Sequence, residues 1–76
     1  MTLYDYINTN YDRIRHETKI GLIPVSILSH WEIYSRFDAF RKRGLPVNDA
    51  VMFTEMEMKV SDSTVYKVKK QMENTI

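Results

Sequence analysis

Apolar side chains recur every three or four residues in four segments of this chain, and no segment alternates apolar with polar. That spacing is the period of an α-helix, so the chain is expected to be all-α, a small four-helix domain with no β-wing. In residues 2–19 the series is Leu3, Ile7, Tyr11 and Ile14, extended by Thr18. In residues 26–43 two series run side by side: Ile27, Trp31 and Tyr34, then Ile33, Phe37 and Phe40. A helix apolar over about half its circumference is too wide for one-sided packing. It is expected at the centre, with Trp31 largely buried against Val65 or Val68. The third series is Val47, Ala50, Val51, Thr54 and Met58, widened by Phe53, and the fourth is Val65, Val68 and Met72.

The punctuation between these segments fits helices joined by short connections. Thr2 can cap the first helix, and Asp5 suits the positive end of its dipole. Asn8-Thr9-Asn10 is a poor helix-forming patch at which that helix is weak or broken. Gly21 can end it in a left-handed conformation. Pro24 then disfavours helix at Ile23, and Ser26 can cap the second helix. Gly44 stops that helix, and Pro46 suits the first turn of the third. A turn is expected at residues 59–61, a fourth helix at 62–73 and a frayed end at 74–76. With no repeat or long linker, residues 1–76 read as one domain.

Chemistry has few places to sit. The chain has 76 residues and no cysteine, so neither a disulfide nor a zinc–thiolate site can supplement its core. Apolar packing must hold it, helped by the tyrosines, phenylalanines and tryptophan, and extended by self-association. No cysteine nucleophile, Ser-His-acid set or glycine-rich phosphate loop is present, and Glu55 and Glu57 point apart on their helix. No enzymatic activity, cofactor or small-molecule substrate is inferred. His16 and His30 lack the further ligands a metal site requires. His30 is expected to be half-buried and bonded to a neighbour, His16 to lie on the surface. No secretory leader or membrane-length apolar run is apparent, which together with the absence of cysteine points to the cytoplasm.

The formal net charge is only +1, but the cations are clustered. One cluster is Arg41, Lys42 and Arg43, which equally suits a solvated helix C-terminus. The other lies in the stretch Val60-Ser61-Asp62-Ser63-Thr64-Val65-Tyr66-Lys67-Val68-Lys69-Lys70. Here Ser61 is a natural N-cap and Asp62 follows at the positive end of the dipole. Val65, Val68 and Met72 form a narrow apolar stripe. Ser63, Tyr66, Lys67 and Lys70 fall on the opposite face, where hydroxyls and cations suit base edges and phosphates.

The Val-Ser-x-x-Thr-Val phrase at Val60–Val65 resembles the turn and second helix of bacterial and phage-type helix-turn-helix DNA-binding proteins. The stretches at residues 11–15, 21–28 and 33–38 share the style of small open reading frames of phages and mobile elements. Glu55 departs from the family pattern, which has a small residue there, and Lys59 stands where the family has glycine. The resemblance implies a helix-turn-helix over about residues 47–73 and sequence-specific binding of double-stranded DNA, as a transcriptional regulator or mobile-element accessory protein. The DNA-facing residues would be Ser61, Ser63, Tyr66, Lys67, Lys69 and Lys70, in a homodimer reading two half-sites. The same residues also suit a plain antiparallel helix pair with a serine cap. The rival function keeps the helix-turn-helix as a scaffold and makes the chain a protein-binding module, using its first helix or the Met52-Phe53-Met56 face.

Overall fold

The computed structural model describes residues 1–76 as five helices around a single apolar cluster. They are α1 (Leu3–Thr9), α2 (Tyr11–Lys19), α3 (Ser26–Lys42), α4 (Val47–Met58) and α5 (Asp62–Met72). The expected first helix is thus two. Asn10 turns its side-chain amide onto the Tyr6 carbonyl at 2.9 Å, and Thr9 Oγ1 donates to the Asp5 carbonyl at 2.9 Å. Side chains that compete for backbone carbonyls in this way unseat a helix. A capping box starts α1, with Asp5 N–H donating to Thr2 Oγ1 and the Asp5 carboxylate accepting from Thr2 N–H.

The centre is α3, which packs against α1, α4 and α5. Ile33 and Phe37 of α3 are buried with Ala50 and Val51 of α4, Val65, Val68 and Met72 of α5, and Ile7 and Ile14 from the N-terminal helices. Thr54 is buried among them and donates its hydroxyl to the Ala50 carbonyl at 2.7 Å, so no polar group is stranded.

Trp31 departs from expectation. It is half-buried, and its partners come from the N-terminal helices. Its ring lies 5.0 Å from Tyr11 and 6.5 Å from Tyr4, and its indole N–H donates to Asn8 Oδ1 at 2.8 Å. Tyr4 continues the row to Tyr34 at 4.7 Å, and Tyr34 to Phe37 at 5.7 Å. Aromatic pairing thus fastens α1 and α2 to α3, while the smaller side chains Ile33 and Phe37 take the place beside α4 and α5.

Residues 74–76 are not frayed. Leu3 N–H donates to the Asn74 carbonyl at 2.9 Å and Ile76 N–H to the Met1 carbonyl at 3.0 Å, around a single antiparallel bridge between Thr2 and Thr75.

Three helices end alike. Gly21, Gly44 and Lys59 adopt left-handed backbone, with φ of +80°, +92° and +56°. The next residue in each case (Leu22, Leu45, Val60) donates its N–H to the carbonyl five positions back, at Glu17, Phe40 and Glu55. This is the Schellman closure, which commonly seats an apolar residue just past the turn. Leu45 and Val60 do pack on the core, whereas Leu22 stays exposed. Lys59 carries the steric cost that glycine avoids. Lys59→Gly is therefore expected to raise stability by about 0.5–1 kcal/mol, after the added freedom of the unfolded glycine is offset. The check is a urea midpoint that rises at unchanged m; a lower midpoint would contradict the left-handed turn.

Candidate nucleic-acid interface

Burial of Val65, Val68 and Met72 fixes which side of α5 meets solvent. The opposite stripe is Ser63, Tyr66, Lys67 and Lys70, all exposed. These positions follow the i, i+3, i+4, i+7 rule and span about 10 Å of helix. The structure therefore gathers four of the six residues singled out by sequence on one open face.

The other two are engaged. Ser61 caps α5: its hydroxyl accepts from Thr64 N–H at 3.3 Å and lies 3.1 Å from Ser63 Oγ and 2.9 Å from Thr64 Oγ1. Lys69 is turned toward the helix end, where its ammonium pairs with Glu73 Oε1 at 2.9 Å. Asp62 stays local too, accepting Ser63 N–H at 2.7 Å.

Sequence reasoning missed Asn48. It lies at the start of α4, eighteen positions from Tyr66, and no local pattern links the two. The Tyr66 hydroxyl donates to Asn48 Oδ1 at 3.2 Å. The phenol oxygen is left as an acceptor, and the Asn48 amide keeps its two N–H donors free.

The cations divide by what holds them. Arg13, Arg36, Lys42 and Lys69 form ion pairs with Glu17, Glu57, Asp38 and Glu73. The Arg41–Arg43 cluster is committed within the fold: Arg41 donates to the Leu45 carbonyl at 2.9 Å, Lys42 pairs with Asp38 and Arg43 lies over the Phe40 ring. Arg15 and Lys19 on α2, and Lys59, Lys67 and Lys70, have no carboxylate within ion-pair distance. The open face of α5 and the turn before it thus hold uncommitted positive charge.

The far end of α5 is anchored by Glu73. Its carboxylate accepts from Tyr34 Oη at 3.0 Å and from Lys69 Nζ at 2.9 Å. His30 of α3 is half-buried as expected, its Nδ1 2.8 Å from Gln71 Oε1. No group of three or more His, Cys, Asp or Glu is placed to hold a metal ion, and no helix is long and apolar enough to cross a membrane. Comparison of the chain with protein families, curated proteins and solved structures finds no match.

Burial, with the hydrogen bond to Glu73 and the charges of Glu73 and Asp38, pushes the Tyr34 phenol far above the usual tyrosine range. An unfolded tyrosine loses its proton near pH 10. Above that pH the folded chain binds the extra proton, so stability should fall as pH rises past about 10. The expected result is a Tyr34 phenolate absorbance, taken as parent minus Tyr34→Phe, that appears only as the protein unfolds. A Tyr34 signal that titrates while the fold is intact would contradict the assignment.

Proposed function

We propose that this chain is a small, non-catalytic, cytoplasmic DNA-binding protein whose α4–turn–α5 unit acts as a helix-turn-helix, with α5 laid in the major groove. The observation that carries this reading is the exposed stripe of Ser63, Tyr66, Lys67 and Lys70, in which neither lysine is neutralised by a carboxylate. A groove about 12 Å wide admits a helix presenting such a stripe. Lys67 and Lys70 suit phosphate or guanine. Ser63 and Tyr66 are the readers of base identity. With the Tyr66 proton directed at Asn48, the tyrosine reads as an acceptor or through ring contact with a thymine methyl. Ser61 serves chiefly as the cap that aims α5, and Lys69 as its end brace. One such module makes few contacts, so a homodimer on two half-sites is part of the proposal. Regulation of transcription, or service to a mobile element, is the role such binding fits.

A second reading is favoured by one observation: Met52, Phe53 and Met56 are exposed on α4. On it the chain is a protein-binding module and the face of α5 a solvated helix.

Salt separates the two, because phosphate contacts release counterions and apolar contacts do not. Duplex titrations at several salt concentrations should show Lys70→Ala weakening all sequences alike, with a salt slope lower by about one. Ser63→Ala or Tyr66→Ala should shift the preference among sequences by about 1–3 kcal/mol per lost contact. These side chains lie off the core, so the fold should be unchanged. If the parent and Lys67→Ala/Lys70→Ala bind duplex equally, or the parent does not bind at low salt, the protein-binding reading replaces this one.

A further inference from the structure

The outward face of α4 has a symmetry that a twofold contact would use. Met52, Phe53 and Met56 are 47%, 39% and 69% exposed, and Phe53 extends the patch to Phe40 of α3 at 5.6 Å. Asp49 and Lys59 flank this stripe at its two ends, and both are exposed. Neither has an ion-pair or side-chain hydrogen-bond partner within the chain. At a rise of 1.5 Å per residue they lie about 15 Å apart, so they cannot pair with each other on one helix. Position 54 is midway between 52 and 56, and also midway between 49 and 59. A twofold axis through that level therefore sets Met52 against Met56 of the other helix, and Asp49 against Lys59.

We propose that this face docks a second copy of the chain, α4 antiparallel to α4, with Met52, Phe53 and Met56 interleaved and Asp49 of each copy paired with Lys59 of the other. The charge complementarity selects the occupant: an acid at one end and a base at the other match the same surface turned by half a rotation. The apolar centre is small, so the contact lies at the weak end of specific interfaces. It gives the homodimer of the proposed function a surface, yet it forms without DNA. An experiment free of duplex therefore leaves the DNA reading standing if it fails, and the contact stands if DNA binding fails.

The test is sedimentation equilibrium of the full chain from about 10 µM to about 1 mM, a range suited to weak association. The parent mass should rise toward that of a dimer, and Met56→Glu or Met52→Glu should stay monomeric. Asp49→Lys and Lys59→Asp should each weaken association by about tenfold, because symmetry makes every change count twice. The double variant Asp49→Lys/Lys59→Asp should associate again. Both of its changes oppose the dipole of α4, so the dipole gives the double variant no gain over either single one. Circular dichroism checks that each variant is helical. A parent that is monomeric throughout, a Met56→Glu protein that associates like the parent, or a double variant no better than the singles would each overturn the proposal.

Discussion

The rest of the architecture depends on the docking of α5 through Val65, Val68 and Met72. These side chains are essentially inaccessible to water, at 1%, 1% and 0% exposure, although α5 is the last helix of a small chain. Burying an apolar side chain of this size is worth about 1.5–3 kcal/mol, a large share of the stability a domain of this size possesses. The helix therefore has one rotational setting. Any rotation that exposed Val68 would also bury a lysine, which no buried partner here could neutralise. The open face of α5 is the complement of that setting, and Ser63, Tyr66, Lys67 and Lys70 face outward because Val65, Val68 and Met72 face in.

The chain reaches that setting through the turn at residues 59–61. Gly21 and Gly44 do the same geometric task at the ends of α2 and α3, and there the sequence uses the residue that bears no steric cost. At Lys59 it does not. The left-handed lysine sets an uncommitted ammonium at the joint between α4 and α5, next to the Ser61 cap. A glycine would fit that backbone at no steric cost, so the lysine stands there against the local preference.

What could be read from sequence followed from local rules. The stripe of α5, the Ser61 cap, the stops at Gly21 and Gly44 and the half-buried His30 each depend on spacing along one element or on one residue's intrinsic geometry. What could not be read depends on how elements meet. The wide apolar arc of α3 does not say which of its neighbours covers which part, and it is Tyr4, Asn8 and Tyr11 of α1 and α2 that pair with Trp31. Asn10 divides the first helix because its side chain reaches the Tyr6 carbonyl, a competition that propensity alone leaves open. Asn48 and Tyr66 meet only after the turn folds α5 back on α4, and Leu3 and Asn74 only after the whole chain has closed.

Net charge hides the electrostatic design. A total of +1 argues for no particular partner, and an even spread of charges would leave a surface neutral at every point. The fold sorts them instead. Some carboxylates are engaged within the chain: Glu17, Asp38, Glu57 and Glu73 pair with cations on α2, α3 and α5, and Asp5 and Asp62 accept from backbone amides at helix starts. Each local pairing removes a cation from the field seen at a distance. Of the lysines outside these pairs, Lys19 ends α2, and Lys59, Lys67 and Lys70 fall on the turn and the open side of α5, where they gather positive charge. A weakly charged chain can in this way present one cationic face, and its strength is set by which acids the rest of the fold has already claimed.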